Sequence, residues 1–331
     1  MNNKLRVGII GVGHLGTHHA KMLSQITSAE LVGIFDVDLE RANLIASEVA
    51  TKPYTSVEGL LRDVQAVSIV APTRKHFEIA WEAIKREIHV FIEKPITSTT
   101  DEAESLVRLA REKNVKIQVG HIERFNPAIL ALEKYDLQPM FVESHRLAQF
   151  NPRGTDVAVV LDLMIHDIDI IMSLVHSPVK NIDANGVAVV SDSVDIANAR
   201  IQFENGCVAN VTASRISQKK MRKMRLFQRD AYISVDFLEG VAEVFRLVDE
   251  NDESAKATMM LGAIDSGTKK RNIVYEQPEI KEVNALKYEL ELFIDAVKNN
   301  QEPLVTGEDG MRALQVAHDI MEKIGQQKIS L

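Results

Sequence analysis

Leu5-Arg6-Val7-Gly8-Ile9-Ile10-Gly11-Val12-Gly13-His14-Leu15-Gly16 is the stretch whose reading decides the fold. Leu5 to Ile10 is a short apolar run of the kind a buried strand makes, and it passes directly into a Gly-x-Gly-x-x-Gly pattern. Glycines at these positions let a strand turn tightly into a helix and let a pyrophosphate approach the helix N-terminus, where N–H groups and the helix dipole favour an anion. Asp36 stands 20 residues after Gly16 at the end of the next strand candidate, where a carboxylate accepts hydrogen bonds from an adenosine ribose. That carboxylate repels a 2′-phosphate, and Val37, Asp38, Leu39 and Glu40 follow it without a neutralising cation. NAD is therefore expected over NADP, with Arg41 the nearest basic side chain that could reach over.

Outward from this turn, short β-branched runs alternate with helical-period stretches as far as Val119, the pattern of a parallel sheet with crossover helices. Strands are predicted at Leu5 to Ile10, Glu30 to Asp36, Ala66 to Val70, Ile88 to Glu93 and Val115 to Val119, with helices such as Thr73 to Arg86 and Thr99 to Lys113 between them. Open sheets of this doubly wound class bind ligands beyond the carboxyl ends of their strands. His14 and Leu15 in the glycine turn, Ala71, Pro72, Thr73 and His76 after the third strand, and Glu93 and Lys94 after the fourth are therefore expected to join the cofactor site.

After His121 the rhythm changes. A helix is predicted near Phe125 to Tyr135, a strand near Met140 to Ala148, and a long apolar helix from Asp156 to Val175. Strands follow near Val187, Asn198 to Phe203, Val208 to Ser214, Met224 to Gln228, Tyr232 to Asp236 and Ala242 to Val248, with hairpin-like separators such as Glu204-Asn205-Gly206. This half reads as an α+β domain with an open, mainly antiparallel sheet. Asp249 to Arg271 shows no period and reads as a long exposed loop, and helices Asn284 to Lys298 and Glu308 to Ile324 close the chain. The expected division is 1–121 for cofactor binding and 122–331 for substrate binding and oligomerisation.

A formal charge of −8 over 331 residues argues against nucleic acid as partner, since phosphate backbones require a basic field. A lone Cys207 suits a reducing compartment. With neither a signal-peptide pattern nor an apolar run of membrane length, the expected location is the cytoplasm, away from membranes. His14 and His18 share a helix face but lack a third ligand, so no metal is expected. The basic run Lys219 to Arg225 reads as a solvated strand or interface rim.

Chemistry concentrates in two places. Glu93-Lys94-Pro95 ends a strand at the ligand-binding edge, and Pro95 holds Lys94 out of helical conformation through a bond that is a candidate for the cis form. In Val160 to Met172, apolar nearly all round, Asp162, His166, Asp169 and Ser173 fall at i, i+4, i+7 and i+11 and share a stripe, with Asp167 pointing elsewhere. An aspartate four residues before a histidine can orient the imidazole for proton transfer.

These elements together resemble the glucose-fructose oxidoreductase, inositol dehydrogenase and MocA (Gfo/Idh/MocA) family over nearly the whole chain. The resemblance implies a Rossmann domain, an NAD-dependent reaction at a carbinol, and catalytic roles for Lys94 and His166 with Asp162 beside them, all three contacting substrate. It also points to a homodimer or homotetramer, which a one-layer sheet with two faces to cover independently favours. Within the family, Gly120 to Ala128 and Pro152 to Val157 look like segments of enzymes that oxidise the 3-hydroxyl of UDP-N-acetylglucosamine-type sugars. Arg124, Asn126 and Arg153 would then contact the sugar or diphosphate. The alternatives are an inositol or free-sugar dehydrogenase of the same family, and a non-catalytic NAD-binding regulator.

Overall fold

The computed structural model describes residues 4–151, 157–249, 259–266 and 269–326. The chain forms two compact units, Met1–Phe125 with Val283–Gln315, and Asn126–Glu282 with Val316–Leu331.

In the first unit β1 (Leu5–Ile10), α1 (His14–Leu23), β2 (Ala29–Phe35), α2 (Leu39–Glu48), β3 (Lys52–Tyr54), α3 (Val57–Asp63), β4 (Ala66–Ile69), α4 (His76–Lys85), β5 (His89–Glu93), α5 (Thr100–Lys113) and β6 (Ile117–Gly120) follow one another. The strands pair in parallel in the order β3-β2-β1-β4-β5-β6. This is the dinucleotide-binding arrangement, with its switch point beside β1. Local chemistry sets the helix ends: a reciprocal capping box between Thr99 and Glu102 starts α5, and Asn114 ends it in the left-handed region at φ 54°. All five expected strands form. The sixth, β3, was not legible, because it is three residues long, contains Pro53 and pairs only with β2 at the sheet edge.

The second unit contains α6 (Pro127–Leu130), β7 (Phe141–Leu147), a π-helical turn (Val160–Met164) continuing into α7 (Ile165–Val175), and the strands β8 (Val179–Val187), β9 (Ile196–Phe203), β10 (Val208–Ser214), β11 (Met221–Phe227), β12 (Ala231–Asp236), β13 (Val241–Asp249), β14 (Met259–Ser266) and β15 (Lys269–Glu276). They form a nine-stranded sheet in the order β14-β15-β13-β12-β11-β7-β10-β9-β8. Neighbours are antiparallel except β7 and β10, which run parallel. One face buries Val142, Leu226, Ile233, Val244 and Val274. The opposite face carries Phe141, Phe227, Tyr232, Phe245 and Tyr275 in cross-strand register, with successive ring centroids 5.9, 5.0, 5.5 and 5.1 Å apart.

Two sequence expectations are corrected here. The helix expected over Phe125 to Tyr135 is one α-turn: after Leu130 the bonding tightens to i→i+3, as in Glu133 N–H to Leu130 O and Tyr135 N–H to Leu132 O. The loop expected over Asp249 to Arg271 contains most of a hairpin, β14 with β15, docked on β13. Met259, Met260, Leu261, Gly262 and Ala263 lack the alternation of a strand, and the neighbouring strand supplies their pairing.

The chain closes with α8 (Ala285–Lys298) and α9 (Gly307–Gln326). Leu290, Phe293 and Ile294 of α8 share a buried core with Leu5, Val7 and Ile9 of β1, and Phe293 meets Phe91 edge-on at 5.8 Å. Residues 283–315 thus return to the first unit, a partition that a single cut between 121 and 122 does not describe.

Candidate active site

The glycine turn after β1 divides its work. Gly11 has φ +92°, and a Cβ there would lie 2.6 Å from Val70 O. A Cβ on Gly16 would lie 2.0 Å from Gly11 O, so Gly16 closes the turn against itself. A Cβ on Gly13 would meet nothing within 4 Å. Gly13 is the N-cap of α1 and brings no side chain to the first-turn N–H groups, which leaves an open cradle where a phosphate suits them.

Asp36, 5 % exposed, ties the ends of β1 and β2 together. Its Oδ2 accepts the Val12 N–H at 2.8 Å and its Oδ1 the Asp38 N–H at 2.9 Å. A carboxylate has about four acceptor positions, so half remain for another donor. Arg41 turns towards the same acids, with Nη2 2.8 Å from Asp38 Oδ2 and Nη1 3.7 Å from Asp36 Oδ1.

A cleft of about 670 Å³ runs along the carboxyl edge of the parallel sheet. Gly11, Gly13, His14, Leu15, Asp36 and Arg41 line it from the first two turns, Ala71, Pro72, Thr73 and His76 from the turn after β4, and Glu93 and Lys94 from the end of β5. Every expected cofactor residue but Gly16 is there. An open glycine cradle, spare carboxylate acceptors and a lysine in one groove fit a dinucleotide. Among the described residues no group of three His, Cys, Asp or Glu could hold a metal; His14 and His18 stack edge-on at 5.2 Å.

Beneath the cleft lies a network that sequence reading missed. His19, 1 % exposed, places Nδ1 3.0 Å from Ser68 Oγ and Nε2 3.0 Å from Glu93 Oε1. Glu93 Oε2 accepts the Lys94 N–H at 3.3 Å, and the Lys94–Pro95 bond is cis. Burial pushes the Glu93 carboxyl up, but the His19 hydrogen bond and charge, with the Lys94 ammonium and N–H, outweigh it and hold it below the usual range. A helical position three residues beyond the last glycine was the available signal. His76 places each ring nitrogen beside a main-chain carbonyl, Nδ1 2.9 Å from Pro95 O and Nε2 2.8 Å from Ala71 O, and in its neutral form donates its single N–H to one of them. Burial keeps its imidazole below the ordinary histidine range against the pull of those carbonyls.

In the second unit Asp162 lies in the π-helical turn and His166 in the first turn of α7, both half-buried. The expected stripe assumed one regular α-helix. The wider turn breaks its register between Asp162 and the rest, and such turns often mark functional sites. Asp167, set aside from that stripe, is sealed at 1 % exposure with two bonds from Arg146, Nε to Oδ2 at 2.8 Å and Nη2 to Oδ1 at 3.1 Å. The guanidinium carbon of Arg146 lies 5.7 Å from the centre of the Phe237 ring, and Phe237 O accepts Asn126 Nδ2 at 3.1 Å. Asn126 also caps α6 through the Ala128 N–H. Arg124 lies in a half-buried 3₁₀ turn, Ile122–Phe125, of the first unit. Arg153 lies outside the described residues.

The fold and cleft are those of a dinucleotide-binding protein. Residues 5–121 match the model of the oxidoreductase family with NAD-binding Rossmann fold, and residues 139–234 match the GFO/IDH/MocA C-terminal domain. The chain is 37 % identical over 314 residues to the UDP-N-acetylglucosamine 3-dehydrogenase of Acidithiobacillus ferrooxidans, covering 95 % of each chain. It is 27 % identical to scyllo-inositol 2-dehydrogenase (NAD(+)) of Bacillus subtilis, covering 96 % of this chain and 93 % of that one. A solved structure of the Acidithiobacillus enzyme superposes with TM-score 0.87 at 36 % identity, covering 97 % of this chain and 98 % of that chain. The chain belongs to the Gfo/Idh/MocA family of NAD-binding oxidoreductases. Among the described residues no helix is long and apolar enough to cross a membrane.

Proposed function

We propose that this protein is an NAD-dependent dehydrogenase that oxidises the 3-hydroxyl of a UDP-N-acetylglucosamine-type nucleotide sugar. The observation that carries the reading is the single cleft lined at once by Asp36, with acceptors to spare for a ribose diol, and by Lys94. The same carboxylate, beside an Arg41 already engaged by Asp38, favours NAD over NADP. Bound in that cleft, NAD supplies the hydride acceptor.

His166 takes the proton of the reacting hydroxyl as general base, and the carbinol becomes a ketone. Lys94 supplies positive charge to the oxygen as negative charge develops on it, without surrendering its own proton. Asp162 orients the imidazole and supports its charged form. Arg124, Asn126 and Arg153 bind the sugar or diphosphate, arginine suiting phosphate through its planar fork. In this reading the first unit holds the cofactor and the second the substrate. The choice of a nucleotide sugar rests on the 37 % relative, against 27 % for the inositol enzyme. Intact Lys94, Asp162 and His166 count against a non-catalytic regulator.

NADH formation measured against UDP-sugars, free sugars and inositols tests the substrate. Turnover of UDP-N-acetylglucosamine is expected, and good turnover of free inositol or glucose with no UDP-sugar oxidised refutes it. The reading extends to a homodimer or homotetramer formed through the sheet face that carries Phe141, Phe227, Tyr232, Phe245 and Tyr275, because a one-layer sheet must cover this second face, where Phe227 is exposed and the other four rings are half-buried. A monomer by light scattering at micromolar concentration excludes it. A cytoplasmic location, which the buried free Cys207 suits, completes the reading.

A further inference from the structure

We infer that Arg146 is a positioning residue for His166: its two-pronged bond to Asp167 locks the rotation of α7 where the histidine projects. The inference rests on the reading of His166 as the base.

His166 follows a junction between two helical hydrogen-bonding registers, the π turn ending at Met164 and α7 beginning at Ile165. If the junction moves by one residue, the helix beyond it rotates by about 100°, one residue's share of a 3.6-residue turn. His166 would then leave its face. Asp167 is the next residue, and both its carboxylate oxygens are held by one guanidinium. Two parallel N–H···O bonds fix direction and rotation together, whereas one contact fixes distance alone.

The anchor itself is firm. β7 lies inside the nine-stranded sheet, with Arg146 between Ala213 of β10 and Arg222 of β11. The guanidinium also faces the Phe237 ring, whose residue holds Asn126. Stability alone explains the pair poorly. Removing both charges from water is costly, and apolar side chains of similar volume often stabilise a core equally well or better. What apolar replacements lack is directional control at the residue beside the base.

The test compares Arg146→Lys, the double variant Arg146→Met/Asp167→Leu and His166→Asn in the full chain, with NAD and UDP-N-acetylglucosamine. Thermal midpoint, NADH affinity, kcat, KM and the pH profile of kcat/KM are read for each. The double variant is expected to keep the wild-type midpoint and NADH affinity but lose about 10²-fold in kcat, the scale of an ångström-sized misplacement. Arg146→Lys, which keeps charge and loses the fork, should fall in between, with the base's pH limb still visible.

Wild-type kcat in a folded Arg146→Lys or double variant, while His166→Asn is inactive, overturns the positioning role and leaves the base assignment standing. Full turnover by His166→Asn removes the base reading and this inference with it. Failure of both Arg146 variants to fold assigns the pair to the fold alone and also overturns it.

Discussion

Asp36 and Asp195 use the same local device for different ends. Each is a buried carboxylate that gathers main-chain N–H groups, one where β2 ends and the other just before β9. Asp195, 0 % exposed, accepts the N–H groups of Val189, Val190 and Ser191 at 2.8, 2.7 and 3.0 Å and the Ser191 hydroxyl at 2.7 Å. Its acceptors are used up, so it serves the fold. Asp36 accepts two N–H groups, lines a cleft, and retains capacity for a ligand. Burial and charge therefore do not separate the two carboxylates; the hydrogen-bonding capacity left after folding does.

Carried to the reacting groups, this contrast gives the largest expected effect. Lys94→Ala and His166→Asn should each cost about 10²-fold or more in kcat, with NAD affinity and thermal midpoint near wild type. Near wild-type turnover in both, with NAD binding verified, would place these groups on the structural side. Next, Asp36→Ala should weaken NAD binding by about 10-fold or more, the loss of hydrogen bonds to a charged acceptor, with a smaller effect on folding. Equal or better kcat/KM with NADP in the unaltered protein breaks the assignment of Asp36 to the ribose.

Asp195 should behave in the opposite way. Asp195→Asn is expected to lower stability by about 2 kcal/mol at neutral pH and leave NAD affinity unchanged. Burial pushes its carboxyl up, but the Ser191 and Val190 N–H groups, the Ser191 hydroxyl and the Val189 N–H overcome this and hold it far below the usual range. A depressed folded-state pKa gives stability that is complete above the ordinary carboxylate value near 4 and is lost as pH falls through the folded value. Urea midpoints measured downward from pH 5 should therefore fall less steeply for Asp195→Asn than for wild type, and parallel curves would contradict this. Smallest is the effect at Gly13, read against Gly16. Gly13→Ala should weaken NAD binding severalfold with an unchanged thermal midpoint, because the added methyl enters open space. Gly16→Ala, whose Cβ would overlap Gly11 O, should lower the midpoint as well. Identical behaviour of the two would erase the difference between an open and a packed glycine.

Legibility followed the range of the interactions. The glycine turn, Asp36 and the end of β5 were readable because strand, turn and helix are adjacent in sequence, and the parallel topology then brings successive turns to one sheet edge. The corrections fell where partners are distant. The β14–β15 hairpin takes its pairing from β13, and β3 is specified by its neighbour β2 more than by three residues that include a proline. The helix expected after Phe125 stopped at one turn.

The sequence by itself determined the dinucleotide-binding unit, the family, and the residues proposed for chemistry, because each rests on local spacing that covalent geometry and helix period translate directly into position. Only the tertiary structure decided which partners the charged groups meet. It set Asp167 against Arg146 from 21 residues away and His19 against Glu93 from 74 away. It also returned α8 to the core of β1. The physical reason is that an ionisable group takes its role from the partners left to it after burial, and those partners come from segments that periodicity along one stretch of chain does not connect.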